Sequence, residues 1–227
     1  MPIVPLGLNL DTPEDQIFGV CDDAGLKGKE ANEVYHSLDA IRGWRQRFET
    51  LHGRLLGCDH HSNPDDPPDL TFRFRDKAVP VEHTRLQPSQ YGWMDALHHK
   101  EYPKQCITVP PITCLPTGKS DLVASMFAMD AEWSDVQCDL NEWFRFCMAL
   151  VRKKIEHKPG GILIIQDTSL VFDNQLRPIA EAAHAFLSPR PGRIKDWTII
   201  LHSRSNPIQF NSYLIAPAEE LHHLNGH

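Results

Sequence analysis

The chain has 227 residues, of which 41% are hydrophobic and 23% charged, and its formal net charge is -7. This composition is typical of a globular protein with a substantial core, and the negative charge argues against a protein that coats nucleic acid nonspecifically. No apolar run approaches the roughly 20 residues that cross a bilayer, and the first residues lack the pattern of a signal peptide. The six cysteines are scattered, so we expect reduced thiols in a cytoplasmic protein that does not bind membranes.

The sequence of residues 1–68 predicts an irregular arm, two helices and a loop. Residues 1–12 form the arm, and TPED at positions 12–15 has the capping residue and proline of a helix that ends near Ala24. From Lys29 to Leu56, apolar residues recur every three or four positions, which predicts a long amphipathic helix. The next segment, GCDHHSNPDDPP, is predicted to be a loop because it is rich in glycine, asparagine, aspartate and proline.

Two short strands are predicted within residues 67–86, PPDLTFRFRDKAVPVEHTRL. We place a tight turn at residues 76 and 77, which pairs Phe72 with Val81, Thr71 with Glu82 and Asp69 with Thr84. Because side chains alternate along a strand, one side of this hairpin is apolar and the other is polar. The apolar side carries Leu70, Phe72, Phe74, Val79 and Val81, and the polar side carries Asp69, Thr71, Glu82 and Thr84. Two carboxylates therefore converge on one surface.

Asp69 and Glu82 on a rigid sheet suit a magnesium ion, which prefers oxygen ligands and often takes one or two protein carboxylates. The alternative is that both acids are ordinary surface residues. An aspartate that begins a strand after two prolines, and a glutamate on the open face of a hairpin, are both common. The pattern alone leaves these two interpretations open.

The hairpin resembles a known family. Pro68-Asp69, a strand and a turn, and then Val81-Glu82-His83-Thr84 are similar to the signature of the PD-(D/E)XK, or restriction-endonuclease-like, phosphodiesterase superfamily. The resemblance implies that Asp69 and Glu82 hold Mg²⁺ or Mn²⁺, with the backbone carbonyl of His83 as a further ligand. Thr84 stands where the family usually has a lysine that positions or activates the attacking water. The order of predicted elements extends the likeness over about residues 35–215.

The resemblance also suggests roles for residues on two helices. In the family, a helix before the acidic hairpin commonly brings a glutamate toward the metal, and Glu49 is the best-placed candidate here. A basic helix residue sometimes replaces a displaced lysine, and Lys153 or Lys154 is the candidate for that role. The alternatives are that Glu49 is simply exposed and that both lysines compensate the negative end of their helix.

Two other motifs are weaker. Cys58, His60 and His61 invite a zinc site, but no second pair of ligands lies at a persuasive spacing. The sequence PTGKS at 116–120 ends like a phosphate-binding loop. Thr113 stands where that motif requires glycine, so we interpret the segment as the start of a helix near Ser120.

The rest of the chain predicts alternating helices and strands. Residues 87–105 are a loop or short helix, Asp139 to His157 a strong helix, GILIIQDT a buried strand, Arg177 to Leu187 a helix, and WTIILHS and Phe210 to Ile215 two further strands. A continuous apolar run such as GILIIQDT is typical of a strand that is covered on both faces. The segment 217–227 is predicted to be a flexible tail.

Together these patterns predict one α/β domain over residues 1–227, with a mixed sheet of about five or six strands and helices on both sides. The resemblance makes it a restriction-endonuclease-like fold. The function we expect is a magnesium-dependent nuclease that hydrolyses DNA, and replacement of Glu82 by Ala is then expected to abolish cleavage without unfolding the protein. The alternative is a catalytically degenerate module that binds nucleic acid or a protein. A homodimer or another protein partner is compatible with either function.

Overall fold

A computed structural model describes residues 3–61, 68–105, 115, 117–127, 136–156, 158–167, 173–187, 196–206 and 209–216. Within these residues the strands form one seven-stranded sheet, whose spatial order follows the chain. The strands are β1 (Ile3–Leu6), β2 (Leu55–His61), β3 (Leu70–Phe74), β4 (Ala78–Leu86), β5 (Gly161–Asp167), β6 (Trp197–Asn206) and β7 (Gln209–Ala216). Strands β1 to β4 are antiparallel, β4 to β6 are parallel, and β7 is antiparallel to β6.

Helices cover the sheet on both sides, which confirms the predicted mixed α/β class. They are α1 (Glu14–Asp23), α2 (Lys29–Arg42), α3 (Arg45–His52), α4 (Ser89–Glu101), α5 (Lys119–Met126), α6 (Val136–Ile155) and α7 (Asp173–Leu187). The first three helices pack on one side, which we call the α2 face, and the last four contribute to the apolar cluster on the other, which we call the α6 face. None of the described helices is long and apolar enough to cross a membrane.

Strand β5 shows why the sheet has two apolar clusters. Ile162 and Ile164 belong to the cluster on the α2 face, whereas Leu163 and Ile165 belong to the cluster on the α6 face. All four side chains are fully buried. The continuous apolar run in the sequence therefore reflects a central strand that is covered on both sides, as predicted.

The prediction of one long helix from Lys29 to Leu56 is wrong. Helix α2 ends at Arg42 and α3 ends at His52, after which Gly53 has a positive φ of 78° and β2 begins at Leu55. Glycine adopts this left-handed conformation without the steric cost that other residues meet, so the chain leaves the helix there.

Strand β2 uses residues that were predicted to be a loop, and it pairs with β1, which lies in the predicted irregular arm. In the part of the chain that the structure describes, the sheet therefore has seven strands, where about five or six were predicted. Helix α4 has 13 residues, where a loop or short helix was expected. Helix α6 begins at Val136, three residues before the predicted cap. The predicted tail, 217–227, lies outside the described residues.

The β3–β4 hairpin has the predicted faces but a different register. Phe72 lies opposite Val79, and Leu70 lies opposite Val81. The tight turn lies at residues 75 and 76 rather than at 76 and 77, and it is closed by a hydrogen bond of 2.8 Å from Phe74 N to Lys77 O. A shift of two residues preserves the side-chain alternation, so the apolar and polar sides stay as predicted. It changes which polar residues face each other.

Candidate active site

Glu82 is a buried carboxylate on the α6 face, in the middle of β4. Only 1% of the residue is exposed. Its Oε2 atom lies 3.3 Å from Lys154 Nζ and 2.5 Å from Lys158 Nζ. Lys154 belongs to the last turn of α6, and Lys158 follows that helix just before β5. Glu82 is therefore held between two ammonium groups that the α6–β5 connection brings to the sheet.

The other carboxylate oxygen of Glu82 has a different environment. Oε1 is buried and has no hydrogen-bond partner among the described residues. A buried polar atom without a partner is uncommon in folded proteins, because it loses its hydration without a replacement. An ion or a water molecule at this oxygen would supply the missing partner.

Asp69 lies just before β3, next to Leu70, where the pairing of β3 with β4 ends. Its Oδ2 atom accepts a hydrogen bond of 2.8 Å from His83 N, and its carbonyl accepts one of 3.0 Å from His61 N. Continuing the pairing of Leu70 with Val81 by one residue places Asp69 opposite Glu82, not opposite Thr84 as predicted. Asp69 and Glu82 thus lie at the same level of the sheet, the first just before β3 and the second on β4.

His61 lies at the same level of the sheet on a third strand, β2. Continuing the β2–β3 pairing by one residue beyond His60 and Leu70 places His61 opposite Asp69, and its Nε2 atom lies 2.8 Å from Thr71 Oγ1 on the polar side of the hairpin. The sequence offered His61 only as part of a zinc motif with Cys58 and His60. The structure separates these residues, because Cys58 and His60 are buried toward the α2 face. We therefore count His61, and not the zinc motif, among the site residues.

The remaining predicted site residues divide into two groups. Thr84 lies on the α6 face, two residues beyond Glu82, and is half-buried. Lys154 is at Glu82, whereas its neighbour Lys153 is exposed. Lys158 was not among the predicted site residues, because a lysine outside a helix gives no periodic signal. Of the two predicted lysines, the structure brings Lys154 to the site.

Glu49 does not reach the carboxylates. It forms an ion pair of 3.0 Å with Arg45, its neighbour on α3. Helix α3 ends at His52, whose ring packs 5.0 Å from that of Phe74. Phe74 is the last residue of β3, so α3 lies at the opposite end of this strand from Asp69. The proposed metal role of Glu49 therefore has no support from its position.

Glu33 on α2 is the helical acid that interacts with Asp69. Burial raises the pKa of Glu33, Lys29 at 3.3 Å opposes this shift, and the negative charge of Asp69 adds to it. An electrostatic effect of this kind requires the two carboxylates to be near each other. The sequence pattern missed Glu33 because Glu33 and Glu49 were assigned to the same uninterrupted helix.

A second polar group lies on the α2 face and was not predicted. The ring of His36 lies 5.7 Å from that of His202 and 6.5 Å from that of His83, and Asp39 Oδ2 lies 3.4 Å from His202 Nε2. Burial lowers the pKa of His36 to about 4 and that of His83 to about 3, so both rings are neutral at neutral pH. His36 and Asp39 are close together on α2, but His83 and His202 are far from them in the chain, so no spacing signal could have joined the group.

The oxygen atoms around Asp69 and Glu82 fit a hard divalent cation. Glu82 Oε1 has no hydrogen-bond partner among the described residues, and Asp69 lies opposite Glu82 when the β3–β4 register is continued by one residue. In a strand, the carbonyl of His83 points to the same side as its N–H group, which donates to Asp69. Carboxylate and carbonyl oxygens are the protein ligands that Mg²⁺ prefers, together with water and phosphate. No three His, Cys, Asp or Glu side chains of the described ranges form a group that could hold a metal. An ion here would therefore depend on backbone, water and substrate oxygens.

Comparisons with family models, with curated proteins and with solved structures give no match for this chain. The functional argument therefore rests on the geometry of the residues.

Proposed function

We propose that this protein is a metal-dependent phosphodiesterase of the PD-(D/E)XK type that hydrolyses DNA. The observation that carries the proposal is the placement of Asp69 opposite Glu82, with Lys154 and Lys158 on the same glutamate. Two carboxylates and two ammonium groups at one level of the sheet supply the charges that a metal ion and a phosphate need. Lys154 takes the role that a lysine at position 84 would have.

Some of the site residues would bind the metal ion, and others would contact the phosphate. Asp69, Glu82 and the carbonyl of His83 would hold Mg²⁺, which lowers the pKa of a bound water and neutralises charge on the phosphate. Lys154 and Lys158 pair with Glu82 and would present their remaining N–H groups to phosphate oxygens. The hydroxyl of Thr84, on the same face, orients the attacking water. Asp69 also fixes the middle of β4 through the hydrogen bond that it accepts from His83 N.

The decisive experiment is cleavage of plasmid and single-stranded DNA with Mg²⁺ or Mn²⁺. Lys154→Met should lose activity while it binds the metal as tightly or more tightly, because an ammonium group no longer competes for Glu82. Lys153→Met is the matched control and should keep both properties, since Lys153 is exposed next to Lys154. Calorimetric titration of metal into each protein provides the second readout. Equal loss in both variants would contradict the role of Lys154.

One observation favours the alternative of a degenerate module that binds without cleavage. Glu82 is almost fully buried, and two ammonium groups already balance its charge. Such a carboxylate can be a purely structural ion pair. If the wild-type protein binds DNA but binds no divalent metal and cleaves neither substrate, the degenerate module is the better description.

A further inference from the structure

The second half of β4 forms an open edge of the sheet in the part of the chain that the structure describes. Strand β3 pairs with β4 only as far as Val81, whereas β5 continues along the other side to the end of the strand. At the edge that β3 leaves open, His83 N donates a hydrogen bond to Asp69 Oδ2. The N–H groups of alternate residues in a strand point the same way, so the N–H group of Arg85 also points to this edge. A backbone donor therefore lies beside the candidate active site.

The side chain of Arg85 lies on the other face of the sheet from Glu82. Arg85 is exposed and follows Glu82 by three residues on β4, so the alternation of side chains places the two on opposite faces. Its partner in the β4–β5 register is Gln166, which continues the alternation of Ile162 and Ile164 on the α2 face. About 10 Å of extended strand separates Arg85 from Glu82.

The electrostatics of His83 indicate that this edge has a cation on each side. Burial lowers the pKa of the His83 ring to about 3, and the positive charges of Arg85 and Lys154 contribute to the shift. Such contributions require both cations to lie near the ring. Lys154 is on the α6 face at Glu82, and Arg85 is on the α2 face. The open edge therefore lies between an ammonium group and a guanidinium group.

The charge of Arg85 remains available to an anion from solvent. Burial raises the pKa of Glu33 on α2, and the positive charges of Lys29 and Arg85 oppose this shift. Glu33 is only 7% exposed, and its Oε1 atom lies 3.3 Å from Lys29 Nζ. Among the described residues, Arg85 itself forms no ion pair. Its exposed guanidinium group suits a phosphate, which it can bind through two parallel hydrogen bonds.

We propose that the substrate is single-stranded DNA whose backbone crosses the open edge of β4, an inference that rests on the proposed phosphodiesterase function. Lys154 and Lys158 contact a phosphate on the α6 face, and Arg85 contacts another phosphate of the same strand on the α2 face. Proteins that hold single strands commonly use positive groups that follow the backbone. Duplex DNA stays nearly straight over about 50 nm, so it cannot turn around the edge of one β-strand. A single strand can bend at each nucleotide and reach both cations.

The test measures the binding of a short single-stranded oligonucleotide and of the duplex of the same sequence. Fluorescence anisotropy is followed at several KCl concentrations in EDTA, which removes divalent metal and prevents cleavage. The wild-type protein should bind the single strand several-fold more tightly than the duplex. Arg85→Gln should weaken binding of the single strand and reduce the slope of log K against log salt by about 0.7, the value for one phosphate contact. Its binding of the duplex should change little.

Arg75→Gln is the matched control. Arg75 is also exposed, and it lies in the β3–β4 turn, at the other end of the hairpin from Asp69. This variant should keep the affinities and the salt dependence of the wild-type protein. Urea unfolding of Arg85→Gln should match that of Arg75→Gln, because both changes replace an exposed arginine.

The outcomes distinguish this inference from the proposed function. If the wild-type protein binds the duplex as tightly as the single strand, binds neither, or is affected equally by Arg85→Gln and Arg75→Gln, the inference is overturned whether or not DNA is cleaved. Cleavage of the same two substrates with Mg²⁺ or Mn²⁺ is measured separately. If binding of the single strand depends on Arg85 but neither substrate is cleaved, the phosphodiesterase is overturned and the strand path stands as that of a binding module. Cleavage of the single strand that weakens in Arg85→Gln alone supports both.

Discussion

Glu82→Gln tests whether the two lysines hold the glutamate as a buried ion pair. Glutamine has the same size as glutamate, so no cavity forms, and the change removes only the charge. Removing one partner of a buried pair costs about 3–5 kcal/mol, because the remaining charge stays buried without compensation. The side chains of Lys154 and Lys158 are 28% and 21% exposed, so their ammonium groups can regain part of their hydration. We therefore expect a loss of about 2–3 kcal/mol in the free energy of unfolding.

The measurement is urea-induced unfolding at neutral pH, followed by tryptophan fluorescence. Glu142→Gln is the matched control, because Glu142 forms its 2.7 Å pair with Arg145 at the surface, where the side chains are 35% and 73% exposed. A surface pair of this kind contributes about 0–1 kcal/mol, so the control should lose little. If Glu82→Gln loses no more than Glu142→Gln, the lysines do not hold Glu82 and the reasoning fails.

A double-mutant cycle measures the interaction itself. Lys154→Met should recover part of the stability lost in Glu82→Gln, because the uncompensated positive charge is then reduced.

The expected coupling has a consequence for the enzyme assay. Glu82→Ala, which the sequence suggested as a change that leaves the fold intact, would also weaken the fold. Loss of cleavage in that variant is therefore informative only when unfolding is measured beside it.

Three further predictions concern the fold. Burial lowers the pKa of His52 to about 4 from an ordinary 6.5, so the unfolded chain binds more protons within this window and stability falls as the pH falls through it. His52→Phe should remove about 2–3 kcal/mol of that pH dependence in urea unfolding between these pH values. Phe72→Ala, at a fully buried position, should cost about 3–5 kcal/mol in the same assay at neutral pH. Gly161→Ala should lower the melting temperature, because a Cβ atom would lie 2.4 Å from Pro80 O across the β4–β5 pair, whereas Gly19→Ala on α1 meets no atom within 4 Å and should be tolerated.

The parts of the fold that the sequence predicted correctly are those with one dominant signal. The apolar run of β5 could only be a strand covered on both sides, and α7 has a clear helical stripe. The sequence around Leu55 fits both a helix and a strand. Its leucines continue the helical spacing of the preceding residues, yet they begin β2. Gly53, with its positive φ, ends the helix, and only pairing with β1 and β3 makes the next residues a strand.

The register of the hairpin explains why the site was predicted only in part. A period of two along a strand fixes which face a residue occupies, but a slip of two residues leaves every face unchanged. The sequence could therefore place Asp69 and Glu82 on one surface and could not say that they lie opposite each other. The observed turn lies one residue earlier than predicted, which shifts the pairing by two residues and brings Asp69 opposite Glu82.

The environments of the two carboxylate oxygens of Glu82 distinguish the two candidate functions. Lys154 and Lys158 satisfy only Oε2 of Glu82, and Oε1 remains without a hydrogen-bond partner among the described residues. A purely structural ion pair would be more stable with both oxygens satisfied, since an unpaired buried acceptor costs about 1–3 kcal/mol. An arrangement that leaves one oxygen of Glu82 without a hydrogen bond is therefore better suited to receiving a cation than to holding two strands and a helix together. This is why we place the metal-dependent enzyme before the degenerate module.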